Sequence, residues 1–228
     1  MSGKDTDPWS VYATGGNTVS ERKPRADAAR NREAVLVAAD RLFATCERPE
    51  EVTMADIAAA AGVGKATLFR GFTDRTGLIR TLYEARLEPI RRAVTDGPGP
   101  LGPAAPPTER VPALLDALLC FKLDHQHLSL ALEGTGTDSP YQAEHYDWWH
   151  GTLRRALEQL PAFEGSDFAA HALLAAVRAD LVGHLAGTRK RPREQLRAEL
   201  AAFVTGVLSG SGSGSGSSPG SGGAKAGQ

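Results

Sequence analysis

Gly62-Val63-Gly64-Lys65, followed by Ala66 and Thr67, is the stretch whose residue types and spacing come nearest to phosphate chemistry. A glycine-rich loop can wrap a nucleotide phosphate in backbone N–H groups, but it needs G-x-x-x-x-G-K-[ST]. The first glycine allows the tight turn, and the hydroxyl after the lysine holds magnesium. Ala59 and Ala66 occupy those two positions, so both requirements fail. The dinucleotide fingerprint fails as well, because Thr67 stands where its third glycine belongs. Both loops follow a β-branched strand, whereas Met54-Ala55-Asp56-Ile57 and the alanines after it favour helix.

A second set of residues invites a metal reading. Asp124, His125 and His127, with Glu133, His145 and His150 further on, offer nitrogen and oxygen ligands. His125 and His127 are two apart, however, and on a helix they point to different faces. They chelate together only if the helix breaks between them. No cysteine pair accompanies them, so neither metal nor any other cofactor is expected. Ser, His and Asp sets can be drawn from any chain of this size, and none here has a nucleophile motif around it. The chain reads as a binding protein and not as an enzyme.

The whole composition sets wider bounds. The chain has 228 residues, with 26 Lys and Arg against 27 Asp and Glu, for a net charge of −1. Total charge therefore advertises no nucleic acid, and the distribution must be read instead. Cys46 and Cys120 lie far apart without a partner motif, which argues for a reducing compartment. The N-terminus lacks the apolar segment of a signal peptide, and no apolar run is read as membrane-spanning, so a cytoplasmic protein without a membrane partner is expected.

The elements that must position any site read as helical nearly throughout, with no alternating strand. Composition suggests a flexible arm over 1–24, a helical domain over 25–80, a second over 81–208 and a Gly/Ser tail over 209–228. A Pro/Gly connector over 95–107 reads as a further flexible stretch. The first helix is predicted after Asp27, with Val35, Ala39, Leu42 and Phe43 on one face. Thr53 and Asp56 form a variant capping box, Gly62 ends the helix it opens, and Gly64 caps the next, Lys65 to Gly71. Asp74 caps a fourth, which contains Pro89. Two short helices around a Gly-Val-Gly turn make a helix-turn-helix, with Ala58 and Ala61 small at the crossing and Ile57, Val63 and Leu68 locking it. Lys65, Thr67, Arg70 and the edge of Phe69 are left facing outward, a set suited to the major groove.

Thr53 to Leu78, VTMADIAAAAGVGKATLFRGFTDRTGLI taken with Val52 and Ile79, together with the upstream RADAARNREAVLVAADRLF, resembles the DNA-binding domain of the TetR family of transcriptional repressors. The resemblance covers about Arg25 to Leu82. It implies an all-α, TetR-like chain: an N-terminal three-helix DNA-binding domain and a C-terminal helical domain for ligand binding and dimerisation. It further implies that Thr53, Lys65, Thr67, Phe69 and Arg75 face the DNA backbone, with Lys65, Thr67 and Arg70 reaching base edges and Gly64 and Ala66 beside them. Phe69 stands where Tyr is usual, Gly71 where His is common and Gly64 where Ser is usual. Arg22, Lys23, Arg25 and Arg30, with Arg32, are cations at a helix N-terminus, where the macrodipole disfavours them; a DNA phosphate would resolve that conflict.

In the second half, helices are predicted over 112–134, 139–160, 166–187 and 192–209, the first with a break near His125. A stripe of mixed apolar and polar residues suits an effector pocket: Phe121, His125, Leu128 and Leu132, then Tyr141, His145, Trp148, Trp149 and Thr152, then His171. Trp149 also fits a packing stripe with Tyr146 and Leu153, and Glu133 is available for a polar group. Ala172, Ala176, Ala179 and Gly183, with Leu196, Leu200, Phe203 and Val207, suggest a two-fold four-helix dimer interface, the same helix pair the family uses. The reading is a homodimeric repressor of a palindromic double-stranded operator, induced by a small hydrophobic or aromatic effector. Two alternatives stay open: a metal- or cofactor-dependent sensor or enzyme using the His/Glu/Trp region, and a ligand-blind helix-turn-helix protein regulated by partners.

Overall fold

The computed structural model describes residues 22–45, 51–134, 144–161, 163 and 165–210. Among the described residues there are ten α-helices, one π-helical turn and no strand. The chain divides into two compact units, Met1–Arg75 and Thr76–Gln228. The division falls before the expected boundary at residue 80.

The first unit holds α1 (Arg22–Thr45), α2 (Met54–Ala61) and α3 (Lys65–Gly71). α1 begins at Arg22 and not after Asp27, so residues 22–24, expected in the flexible arm, are helical. Pro24 is tolerated there because N–H groups of a first turn have no intrahelical partner to lose. Asp27 does not end up as the cap; its carboxylate accepts from the Arg30 guanidinium. Val35, Ala39 and Phe43 of α1 are buried with Ile57 and Ala58 of α2, Leu68 of α3 and Phe72, while Leu42 is only half-buried.

Local chemistry sets the two short helices. The Thr53 hydroxyl accepts from the Asp56 N–H at 3.2 Å, and the Thr53 N–H donates to the Asp56 carboxylate at 2.9 Å, completing the capping box. Those bonds from Thr53 hold the Asp56 carboxyl below its usual range. Gly62 ends α2 with φ of 66°, in the left-handed region, and the Val63 N–H then reaches the Ala58 carbonyl at 3.0 Å. Gly64 opens α3 from extended backbone with no side-chain cap. Two arginines fasten the unit: Arg32 donates to the Gly71 carbonyl at 2.7 Å over the Phe72 ring, and Arg75 donates to the Val52 carbonyl at 3.1 Å over the Phe43 ring.

α4 (Arg75–Thr95) starts on the last residue of the first unit and runs unbroken through Pro89. The second unit continues with α5 (Pro107–Asp124), α6 (Gln126–Gly134), α7 (Glu144–Leu157), α8 (Ser166–Ala175), α9 (Ala179–Gly183) with a π-helical turn at His184–Thr188, and α10 (Arg193–Gly210). α7 packs along α8, α5 along both α7 and α10, and α6 against α9. The break expected near His125 is present, with His125 at φ −125° between α5 and α6.

Several boundaries depart from expectation. α5 begins at Pro107, ahead of the predicted residue 112, because prolines suit a first turn and Pro112 is accommodated within the helix. The connector read as flexible is folded. Arg110 is buried and donates to the Leu101 carbonyl at 3.3 Å and the Val94 carbonyl at 3.1 Å, clipping the segment to the end of α4. Gly102 lies so close to Gly97 that a Cβ on it would sit 1.9 Å from the Gly97 carbonyl oxygen. The single helix predicted over 166–187 is interrupted after Ala175. Ser166–Thr188 is nonetheless long and apolar enough to cross a membrane by length and composition, contrary to the expectation that no run is. It contains Asp167, Arg178 and Asp180, and Val177, Ala179 and Val182 are buried in the protein. α10 extends through Gly210, so Ser209 and Gly210 are helical; residues 211–228 of the expected tail lie outside the described residues.

The backbone at Gly62 and Gly64 yields a paired expectation. Gly62→Ala forces a side chain into left-handed backbone and should cost about 1 kcal/mol in urea unfolding. Gly64→Ser meets no atom within 4 Å and adds a cap. It should leave stability unchanged or raise it by a few tenths of a kcal/mol.

Candidate functional site

α3 is a two-sided element. Leu68 is 1 % exposed and anchors the helix, while Lys65, Ala66, Phe69 and Arg70 are exposed and Thr67 is half-buried. Phe69 retains 52 % of its surface in solvent, unusual for an aromatic ring on a helix of seven residues. The Arg70 Nε–H leans back to the Ala66 carbonyl at 3.3 Å, so its guanidinium lies along the outer edge. Thr53 and Gly64 are exposed at the starts of α2 and α3. The exposed groups of the unit thus include two cations and an aromatic ring on α3 and the starts of two helices, chemistry that suits phosphates and base edges.

Basic residues divide into two groups. Arg75, expected on the DNA backbone, is fastened to Val52 and Phe43, and Arg32 is committed to Gly71 and Phe72. Arg30 is exposed and paired with Asp27. Arg22, Lys23 and Arg25 belong to the backbone of α1, and their side chains lie outside the described residues.

The second unit contains a small cavity of about 30 Å³ lined by Tyr83, Leu118, Lys122, Glu133, His145, Tyr146, Trp149, Leu174 and Arg178. Five helices, α4 to α8, and the α8–α9 turn supply its wall, and its polar chemistry centres on one ion pair. Lys122 donates to Glu133 at 2.5 Å with only 7 % and 11 % of the two side chains exposed. The other oxygen of Glu133 accepts the Ala179 N–H at 2.8 Å, capping α9 from a different helix. Burial lowers the pKa of Lys122, and the neighbouring Glu133 opposes that shift. Burial also lowers the pKa of His145, which keeps its ring neutral near pH 7. The Tyr83 hydroxyl is pushed up by burial and by Glu133. Trp149 is 2 % exposed, and its indole Nε1 has no hydrogen-bond partner among the described residues.

The expected pocket residues separate accordingly. His145 and Trp149 line the cavity, and so does Glu133. Phe121, His125, Leu128, Leu132, Trp148, Thr152 and His171 do not line it. Phe121 and Leu128 are core residues, the first edge-on to Tyr83 at 5.0 Å. His125 sits at the helix break against Phe121, and Leu132 is half-buried. Trp148 turns away beneath Arg91, whose guanidinium is 5.2 Å from its ring, because neighbouring positions on a helix point about 100° apart. Thr152 spends its hydroxyl on the Trp148 carbonyl at 2.8 Å. His171 bonds Tyr146 instead, and Tyr141 lies outside the described residues. Lys122, Arg178, Tyr83, Tyr146, Leu118 and Leu174 were not anticipated. The one available signal was Lys122 itself, a lone cation in the apolar run ALLCFKLD.

The residues expected at a dimer interface also divide. Ala179, Leu196 and Leu200 are buried within the chain, because Leu196, Leu200 and Val204 form the stripe of α10 that packs on α5. Gly183 lies against Gln126 and Leu130 of α6. Phe203 is 47 % exposed, Ala172 is exposed, and Ala176 and Val207 are half-buried. Phe203 borders an open groove of about 160 Å³ with Leu119, Ala176, Val182 and Leu185. The apolar face drawn along α10 is thus two adjacent stripes, one spent inside the chain and one outward.

Residues 35–82 match the family model described as bacterial regulatory proteins, tetR family. No sequence among curated proteins matches the chain. Several solved structures share the fold. A protein from Rhodococcus sp. described as a TetR-family transcriptional regulator aligns with a TM-score of 0.60 at 20 % identity, over 78 % of this chain and 98 % of its own. FadR of Thermus thermophilus, a TetR-family repressor in complex with lauroyl-CoA, gives 0.55 at 19 % identity, over 84 % and 100 %. NalD of Pseudomonas aeruginosa, the secondary repressor of the MexAB-OprM multidrug efflux pump, gives 0.51 at 19 %, over 78 % and 95 %.

The buried pair at the cavity sets a measurable cost. Glu133→Gln keeps an acceptor for the Ala179 N–H but leaves Lys122 buried without a counter-charge, and should cost about 3–5 kcal/mol. Adding Lys122→Met to Glu133→Gln should recover most of that loss in urea unfolding followed by tryptophan fluorescence.

Proposed function

We propose, from the match of residues 35–82 to the TetR family of bacterial regulatory proteins, that the chain is a ligand-inducible repressor that binds a palindromic operator as a homodimer in the cytoplasm. The observation that carries this reading is the outward edge of α3, with Lys65, Phe69 and Arg70 exposed on a helix whose Leu68 is locked in the core. A fixed helix with a free polar edge is what major-groove reading requires. Arg70 is the bidentate donor for a guanine, and Lys65, Thr67 and Thr53 hold phosphates. Arg75 acts from within, setting the angle of the unit by its bond to Val52. The protein acts by binding, without catalysis.

Induction on this reading runs through α4. The helix begins with Arg75 and carries Tyr83, a cavity residue, about two turns later. A cavity of about 30 Å³ holds one or two waters, so an effector must bind an expanded state in which these walls part. An effector that favours that state about a hundredfold supplies roughly 2.7 kcal/mol of coupling, within the usual range. Its body is hydrophobic or aromatic, and an acceptor group on it satisfies the Trp149 indole while a polar end meets Lys122, Glu133 or His145. Nothing in the lining requires the long acyl thioester carried by the Thermus protein.

Selection of bound sequences from a random duplex pool tests the reading directly. The enriched sites should be near-palindromes with half-sites about one helical turn or somewhat more apart. Arg70→Ala should cost about 1–3 kcal/mol and relax preference at one position in each half-site. Equal losses on cognate and scrambled DNA would remove Arg70 as a base reader.

Dimerisation has its own expectation. Phe203→Glu places a charge in the proposed interface without disturbing the inner stripe of α10, so it should give folded monomers by light scattering that lose the palindrome. An intact dimer would exclude this part of α10 from the interface. Leu200→Glu, by contrast, should unfold the protein, since it buries an unpaired charge worth several kcal/mol.

A further inference from the structure

Where α7 meets α8, two histidines and a carboxylate converge. Asp167 and His171 are four residues apart on α8, so both project from one face, and His150 of α7 meets them. One ligating atom of each lies within 4.8 Å of the others. His150 Nε2 is 3.4 Å from the Asp167 carboxylate, about the separation of two ligands around a tetrahedral ion with bonds of about 2.0–2.1 Å. The two imidazole rings stack at 3.9 Å with 24° between their planes. Tyr146 is bonded to Nδ1 of His171 at 2.6 Å, which orients that ring and directs an ion to Nε2.

We propose that His150, Asp167 and His171 form a binding site for one late first-row divalent cation, such as zinc, cobalt or nickel, that clamps α7 to α8. Two imidazoles and one carboxylate are the donor set these ions favour over magnesium or calcium, which take oxygen. The Asp167 side chain is 68 % exposed, so the site opens to solvent and leaves room for water as a further ligand. Neither Asp167 nor His171 belongs to the histidine set that the linear sequence suggests for metal. The clamp bears on the cavity, because Tyr146 and Trp149 of α7 and Leu174 of α8 are cavity walls, and Tyr146 belongs to both sites. The proposal stands apart from DNA reading: an ion would join these two helices whatever the first unit binds.

The test uses the full chain without an affinity tag, stripped with EDTA and titrated with zinc sulfate by calorimetry, then with cobalt chloride by visible absorption. One zinc ion per chain with a dissociation constant on the order of micromolar is expected, together with a rise in the melting temperature. Asp167→Asn changes an exposed group and should fold normally. It should weaken zinc at least about tenfold, as should His171→Ala, and Tyr146→Phe should weaken it about tenfold through the lost orienting bond. His184→Ala, an exposed histidine outside the cluster, should change nothing. Cobalt should give d–d bands in the wild type that vanish in Asp167→Asn. Zinc binding that is unaltered by Asp167→Asn and His171→Ala, or the absence of saturable binding below millimolar zinc, overturns the proposal.

Discussion

A single carboxylate organises the second unit. Lys122 lies on the buried side of α5 and cannot be buried there without a counter-charge, since an isolated ammonium in a low-dielectric interior carries a desolvation cost of several kcal/mol. Glu133 supplies that charge with one oxygen and receives the Ala179 N–H with the other. It thereby ties α5, α6 and the start of α9 at one point. The arrangement needs the chain to interrupt its helix at His125, since an unbroken helix would carry Glu133 away from Lys122 over eleven residues, about 16 Å. The pair lines the cavity together with His145, Arg178 and the apolar Leu118, Trp149 and Leu174.

In the first unit the organising constraint is conformational. Gly62 takes left-handed backbone, which lets α2 end sharply and α3 start three residues later, and the Thr53–Asp56 box fixes the other end of α2. With both ends of α2 specified, Leu68 is forced inward and the Lys65–Arg70 edge outward. Arginines then serve opposite purposes according to what surrounds them. Arg32 and Arg75 lie over Phe72 and Phe43 and donate to carbonyls, so they hold the unit together, while Arg70 donates to Ala66 within its own helix. A net charge of −1 over the chain conceals this local arrangement.

α10 shows how one helix serves two surfaces. Its Leu196–Leu200–Val204 stripe packs on α5, held in register by Arg197 on Asp116 at 2.7 Å and Arg193 on Asp124 at 2.5 Å. These exposed pairs contribute little stability, but each is bidentate and sets the register. Phe203 and Val207, one stripe round, remain for another surface. On the proposed reading the chain spends the inner stripe on its own core and the outer one on a second copy.

Sequence alone determined the elements whose signals are local. The capping box at Thr53, the stop at Gly62, the start at Lys65 and the break at His125 each depend on residues within one turn, and each lies where expected. The helix-turn-helix followed from them, and with it the outward set on α3. The cavity was legible only in part, through His145, Trp149 and Glu133. Which of two adjacent tryptophans turns inward depends on the rotation of α7 against α4 and α5, and no periodicity within α7 records that. Lys122 and Arg178 meet across fifty-six positions of sequence, and the His150, Asp167 and His171 cluster joins two helices, so both arise only when the helices of the second unit pack together. Likewise the Pro/Gly connector carried every sign of a loose linker. A buried Arg110 orders it through two carbonyls, one of them on α4, the helix that leads into the connector. Local backbone chemistry is written in neighbouring residues, whereas burial of a charge and convergence of ligands are properties of the packing.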